Sequence, residues 1–259
     1  MADRLLDLVG QQGGPLADAS LWHLKVTHSE AFTPNLHRLV LTAPGLDELK
    51  YQAGQDLMLR VPLSGGQTIN RRYTIRRFDP SVPAVTIDVS LHGTGPGTDW
   101  IRSATAGDHI DAIGPRGKVT VRNETDWHLF IGDETGLPGV LAMIESLPPG
   151  SAAIALLEVD GPADEQQPTI DQAPGIDLRW LHRLERSAPG DDVLFIEALS
   201  ACDLPAGRGH AYISAESRVV RAIQRVLGEM GLDPEQISGK AYWRRGLPNA
   251  EHGEPTKEG

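Results

Sequence analysis

The chain has 259 residues, a formal net charge of −11 at pH 7, 40% hydrophobic and 23% charged residues. That length suits two small domains with real cores, and the acidic balance argues against nucleic acid as a partner, since sequence-blind phosphate binding needs a basic surface. A single cysteine, Cys202, excludes an internal disulfide and a zinc site built on several thiolates, and fits a reducing cytoplasm.

The first nineteen positions predict a short helix around Leu5, Leu6, Leu8 and Val9. Its apolar stretch is too short, and too interrupted by Asp7, to be a signal peptide. No run approaches the roughly 18–20 apolar residues that span a bilayer, so a cytoplasmic location is expected. From Leu21 the pattern becomes short alternating strands at 24–26, 39–41, 57–61, 73–78, 85–91 and 109–113. Turn signals separate them, among them Pro44-Gly45, Ser64-Gly65-Gly66, Asp79-Pro80 and Gly107-Asp108. One short helix at 98–103 interrupts the series. Strands without a long helix predict an antiparallel β-barrel over 20–124.

After Asn123-Glu124 strands and helices alternate. Strands are predicted at 128–131, 152–159, 178–181, 210–214 and 237–242, and helices at 138–146, 193–200 and 217–229. The last helix gathers Val219, Val220, Ile223, Val226 and Leu227 on one face. This alternation predicts an α/β domain, a parallel sheet with helices on its faces, over 125–247. A Gln/Pro/Asp-rich loop fills 160–174, and the polar tail 248–259 is expected to be disordered.

Three segments carry chemistry. In Asn70-Arg71-Arg72-Tyr73-Thr74-Ile75-Arg76-Arg77, four arginines fall within seven residues of an acidic chain. Strand alternation puts Arg71, Tyr73 and Ile75 on one face and Arg72, Thr74 and Arg76 on the other. Guanidinium groups that clamp phosphate, an aromatic ring and a short hydroxyl suit a flavin nucleotide; a solvated edge strand with scattered arginines has the same pattern. In the second segment, Leu91-His92-Gly93-Thr94-Gly95-Pro96-Gly97-Thr98-Asp99-Trp100, a glycine-rich turn enters a helix and offers backbone N–H groups to a pyrophosphate; such a turn also serves simply as a helix start. The third, Gly132-Asp133-Glu134-Thr135-Gly136-Leu137-Pro138-Gly139, lies where the first strand of the α/β domain meets its first helix, the usual dinucleotide position. Its acids would repel a pyrophosphate, so a nicotinamide cofactor must lie differently or bind weakly, and the same acids suit a helix N-terminus.

Together these segments bear a resemblance. Arg71-x-Tyr73-Thr74 resembles the R-x-Y-[ST] flavin motif of the ferredoxin-reductase superfamily. The blocks Arg72-Tyr73-Thr74-Ile75-Arg76, Leu91-His92-Gly93…Gly95-Pro96…Trp100, Gly114-Pro115-Arg116-Gly117, Gly132-Asp133-Glu134-Thr135-Gly136-Leu137-Pro138 and Ala241-Tyr242-Trp243-Arg244-Arg245-Gly246 resemble the siderophore-interacting protein family in order and spacing over about 20–247. The resemblance implies an FAD-binding barrel, an NAD(P)H-binding-like domain, and reduction of Fe(III) held by a siderophore, with no permanent metal site and no side chain acting as acid or base. It implies that Arg71, Tyr73, Thr74 and Arg76 contact the flavin, that His92, Gly95, Gly97 and Thr98 line its pyrophosphate and ribitol, and that Asp133, Glu134, Thr135 and Glu216 lie on the nicotinamide side. Relatives often carry a basic residue where this chain has Met58. Arg60, from the same strand face, is the expected substitute in gripping an anionic ferric siderophore, with Arg116, Arg244 and Arg245 as further contacts. Relatives also often have Gly where this chain has Ala215.

Arg218, Arg221 and Arg225 could meet the 2′-phosphate of NADPH or form a solvated helix face. NADH, NADPH and a reduced ferredoxin-like protein all remain possible electron donors. A general NAD(P)H-flavin or ferredoxin-type reductase and a non-catalytic siderophore-binding protein are the competing readings.

Overall fold

A computed structural model describes residues 19–91, 95–169, 175–184 and 186–247. The expected N-terminal helix, the end of the loop at 170–174, the tail 248–259 and His92 fall outside the described residues.

Six strands, β1 (Ser20–Ala31), β2 (Leu36–Thr42), β3 (Asp56–Pro62), β4 (Thr68–Asp79), β5 (Ala84–Ser90) and β6 (His109–Arg116), close into a barrel in the order β1-β2-β5-β4-β3-β6. Every pair is antiparallel. Alternation decides what faces inward: Leu57, Leu59 and Val61 of β3 are buried in the barrel with Leu24, Leu39, Ile75 and Ile87, which leaves Met58 and Arg60 on the outer face. A register shift between Ile75 and Arg77 breaks that alternation in β4. The result is three consecutive buried residues, Thr74, Ile75 and Arg76. Helix α1 (Pro96–Ser103) links β5 to β6 and sends Ile101 into the barrel core.

The second half holds a parallel sheet in the order β11-β10-β7-β8-β9, made of β7 (Trp127–Gly132), β8 (Ala152–Val159), β9 (Ile176–His182), β10 (Gly209–Glu216) and β11 (Ile237–Trp243). Helices α2 (Leu137–Glu145), α3 (Val193–Ser200) and α4 (Ser217–Glu229) cover its faces. Residues Leu137 through Ile144 of α2 are all buried, which an apolar sequence on every side of a helix requires. One face of α2 packs on Phe130, Leu157 and Tyr212 of the sheet, within a core that also takes in Leu36 and Val119 from the barrel half. The two halves therefore share apolar core. Strand order reverses between β7 and β10, which places the carboxyl ends of these strands at the position where open parallel sheets bind ligands. No helix among the described residues is long and apolar enough to cross a membrane.

Candidate functional site

Strand β4 has chemistry on both faces. On one, Arg71 and Tyr73 meet the start of α1 at Gly97. A Cβ added to Gly97 would lie 2.7 Å from the Tyr73 hydroxyl and 3.1 Å from Arg71 Cγ, so only glycine lets the helix start approach so closely. Gly95, at φ 156°, is the N-cap, and among the described residues no side chain caps the helix. The first amides of α1 thus stand beside the Arg71 side-chain stem and the Tyr73 phenol, with the Arg71 guanidinium donating to Asn70 O at 2.8 Å, an arrangement suited to a diphosphate. Burial pushes the Tyr73 hydroxyl up to about 12, against the opposing effect of Arg71, so it remains a neutral hydrogen-bond donor at every physiological pH. The strand and the glycine turn, read separately in the sequence, converge here, and the cradle fits FAD: a cation and helix amides for its phosphates, and an aromatic ring for its ring system.

The other face of β4 meets the second domain. Arg72 grips both oxygens of buried Asp56 (Nε–Oδ1 2.9 Å, Nη2–Oδ2 2.7 Å), and Lys240 of β11 donates to Oδ2 at 2.8 Å. Burial alone would raise the Asp56 carboxyl, but Lys240 and Arg72 hold it below the usual carboxylate range. Arg116, directly across the barrel seam from Asp56, rests its Nη1 3.0 Å from Met58 Sδ. Its own burial and the neighbouring Arg72 lower its pKa, with Asp56 opposing. Three cations lie around one carboxylate, so this junction of barrel and sheet is locally positive within an acidic protein. Arg60 lies one step further along the same face of β3, near Asp111 (3.7 Å) and Thr68 (3.5 Å).

Several residues expected at ligands have partners inside the chain. Arg76, expected at the flavin, is 4% exposed and forms a bidentate pair with Glu145 of α2, both contacts at 2.7 Å. The break in alternation at 75–77 turns it toward α2. Thr74 Oγ1 and the Tyr242 hydroxyl share a 2.7 Å hydrogen bond. Asp133, Glu134, Thr135 and Glu216, expected on the nicotinamide side, are brought together at the carboxyl ends of β7 and β10 but turned inward. Asp133 Oδ1 accepts from Thr135 N (2.9 Å), Thr135 Oγ1 (2.5 Å) and Gly136 N (3.2 Å). Its Oδ2 accepts from Glu216 N (3.0 Å) and Trp243 Nε1 (2.9 Å). Glu216 caps α4 through the amides of Arg218 and Val219 and also accepts from Arg245 N at 3.0 Å. Those bonds outweigh the burial that would otherwise raise its carboxyl, and hold it low. Glu134 Oε1 accepts from Asp160 N (2.8 Å) and Arg183 Nη2 (2.5 Å).

Arg245, expected at the siderophore, instead donates to Pro189 O and Asp191 Oδ1 on the loop before α3, while Arg244 is exposed. Arg218, Arg221 and Arg225 lie exposed along α4, Arg225 paired with Glu229 at 2.7 Å. The sequence reading missed Asp56, Lys240, Glu145 and Tyr242 as site-builders. The signal available was local: a lone Asp opening the strand that leads to Met58, and a Lys three residues before Trp243.

A closed antiparallel barrel bearing R-x-Y-T, joined to a five-stranded parallel sheet, defines the ferredoxin-reductase-like class of flavin-binding proteins. Within that class, the profile described as siderophore-interacting protein matches residues 125–246, and that described as siderophore-interacting FAD-binding domain matches 60–119. The crystal structure of a siderophore utilization protein from T. fusca aligns with a TM-score of 0.80 at 31% identity, covering 91% of this chain and 97% of that one. The chain belongs to the siderophore-interacting protein family. It is 28% identical over 224 residues to the ferric vibriobactin reductase of Vibrio cholerae, covering 85% of this chain and 77% of that protein. It is 25% identical over 185 residues to the NADPH-dependent ferric-chelate reductase of Escherichia coli, covering 69% and 68% respectively. The match to mycobacterial relatives at 33% identity spans 65% of their length.

Proposed function

We propose that the chain is a ferric-siderophore reductase: FAD held between β4 and α1 passes electrons from a reduced donor to siderophore-bound Fe(III), which leaves as Fe(II). The observation that carries this reading is the two-sided strand. Arg71 and Tyr73 meet the start of α1 at Gly97, and Arg72, between them in sequence, belongs to the cationic group around Asp56. A flavin held on β4 would lie next to this cationic group.

When bound, FAD accepts a pair of electrons and gives them up one at a time. The chain supplies position and charge. Arg71 and the amides at Gly97 and Thr98 would hold the phosphates and Tyr73 would cover the ring system, while Thr74, bonded to Tyr242, ties this strand to the second half of the chain. Arg116, with Arg60 one strand step away, would contact an anionic ferric siderophore, while Arg72 and Lys240, both committed to Asp56, add positive potential from behind. Arg244 adds charge at the rim. Local positive charge within a chain of net charge −11 steers an anionic substrate to this cleft. Hard oxygen donors hold Fe(II) far less tightly than Fe(III), so a single electron per iron is sufficient for release and no side chain needs to move a proton. The names of the Vibrio cholerae and Escherichia coli relatives support the reading.

The test is anaerobic. FAD-loaded protein is reduced with dithionite, freed of excess reductant and mixed with ferric siderophores of different charge in the presence of a ferrous chelator. The proposal expects flavin reoxidation with two ferrous ions trapped per flavin, fastest for anionic siderophores. Flavin that stays reduced with every siderophore would refute it.

A further inference from the structure

In an open parallel sheet a dinucleotide lies where strand order reverses, with its pyrophosphate on the backbone amides at the start of the next helix. In this chain that position is between β7 and β10, at the turn into α2. We infer that it is closed to the pyrophosphate of a nicotinamide dinucleotide, and that the donor which reduces the flavin reaches it from outside this crevice. The inference rests on the proposed reading only in requiring a bound flavin.

Three observations support the closure. The amides that would receive the pyrophosphate already have an anion: Thr135 N and Gly136 N donate to Asp133 Oδ1 at 2.9 and 3.2 Å. Trp243 Nε1 and Glu216 N complete the carboxylate's shell on Oδ2 at 2.9 and 3.0 Å. Asp133 stands in the place of the phosphate, fixed by five donors from three separate parts of the chain. Second, there is no space. A Cβ on Gly136 would lie 2.0 Å from the Ser214 carbonyl oxygen, so the turn is pressed against β10. The loop before α3 folds over the same point: a Cβ on Gly190 would lie 2.9 Å from Trp243 Cη2 and 3.1 Å from Glu216 Cγ. Arg245 pins this loop through Pro189 O and Asp191. Third, the sheet edge beyond, where the ribose of a dinucleotide would lie, is acidic. Glu134 and Glu158 are both buried and share the guanidinium of Arg183 at 2.5 and 3.1 Å. Arg183, the cation at this edge, is thus already engaged by Glu134 and Glu158 and is not offered to an incoming diphosphate.

Arg245 is therefore a positioning residue of the covering loop and Trp243 is the plug, which gives these two residues a role apart from the siderophore.

The FAD-loaded protein is titrated with ADP-ribose, which carries the pyrophosphate without nicotinamide, by calorimetry. In parallel, anaerobic flavin reduction is followed against NADH and NADPH concentration. The inference expects no saturable ADP-ribose binding at millimolar concentration. It also expects flavin reduction that is either absent or strictly first order in NADH and NADPH, with no more than twofold preference and no inhibition by ADP-ribose. Saturation below millimolar NADH or NADPH, competed by ADP-ribose, would overturn it. An Arg245→Ala variant adds a readout that does not depend on opening the core turn: freeing the covering loop leaves the wild-type result unchanged if Asp133 alone closes the site, and produces weak, ADP-ribose-sensitive saturation if the loop is part of the closure. Either result supports the closure, whereas full saturable binding already present in the wild type contradicts it. Iron release by dithionite-reduced protein is independent of the crevice, so failure there strikes the proposed function and leaves this inference standing.

Discussion

At the scale of single residues, two positions decide most of the site. Gly97 sits where α1 touches Tyr73 and Arg71. Gly97→Ala gains helix propensity, yet its methyl displaces the far end of the Tyr73 ring, a flexible group, so the fold survives while the cradle is misshapen. FAD affinity is expected to fall at least tenfold, about 1.4 kcal/mol, with a thermal midpoint for apoprotein within a few degrees of wild type; flavin fluorescence titration and calorimetry measure both. Asp56 is the reverse case. It is fully buried between Arg72 and Lys240, and removing its charge leaves a buried ammonium without its carboxylate. Asp56→Asn is expected to destabilise the protein by about 3–5 kcal/mol, read as a lower urea midpoint at an unchanged m-value. Loss below about 1 kcal/mol would mean that water reaches Lys240.

At the scale of elements, β4 of the barrel packs directly on α2. Gly139 of α2 leaves space for Thr74 and Tyr242, whose atoms would lie 3.0 and 3.1 Å from an added Cβ. Arg76 and Glu145 close the far end of the same contact. Gly139→Ala is expected to cost about 1–3 kcal/mol by overpacking and to break the Thr74–Tyr242 hydrogen bond. Gly228→Ala in α4, where nothing lies within 4 Å of the new methyl, is expected to stabilise by about 0.4–1 kcal/mol. Urea unfolding of the pair separates packing from propensity.

Most elements were legible at this scale. Apolar periodicity predicts α4 at 217–229, the range observed, because Val219, Val220, Ile223 and Leu227 have to meet the sheet. It predicts only 24–26 of β1, which runs Ser20–Ala31, because the outer parts of that strand are exposed and owe their shape to backbone pairing with β2 and β6. The candidate site was legible where its parts are neighbours in sequence, as in Arg71 with Tyr73, which both meet Gly97. It was not legible where tertiary partners decide. Asp133 reads as a surface acid at a helix start, yet its partners Glu216 and Trp243 are 83 and 110 residues away. Arg76 reads as a phosphate ligand because strand alternation hides the irregularity that turns it toward Glu145.

At the scale of the whole molecule, two buried titratable groups act on stability in opposite senses. Burial, with Arg122, His128 and Arg208 nearby, pushes His210 down to about 4 from 6.5. Between those values the unfolded chain binds the proton more tightly, so acidification destabilises the fold. Burial raises Glu158 to about 7 from 4.5, helped by Asp133 and Glu134 and opposed by Arg183. In that window the folded chain binds the proton more tightly, so acidification stabilises it. The two slopes offset between pH 4.5 and 6.5, and a shallow dependence of stability on pH is expected there. Glu158→Gln removes one slope and leaves that of His210, so the variant's urea midpoint is expected to drop more steeply than wild type from pH 6.5 to 4.5. Parallel curves for the two proteins would show that Glu158 is ionised throughout.

The account as a whole depends on β4 and α1 holding one flavin between them. Apoprotein is titrated with FAD alongside an Arg71→Ala/Tyr73→Ala double variant, with circular dichroism to confirm that both are folded. One FAD per wild-type chain, and affinity at least a hundredfold weaker in the double variant, is the predicted result; stoichiometric, tightly bound FAD in a folded double variant would place the flavin elsewhere and contradict the account.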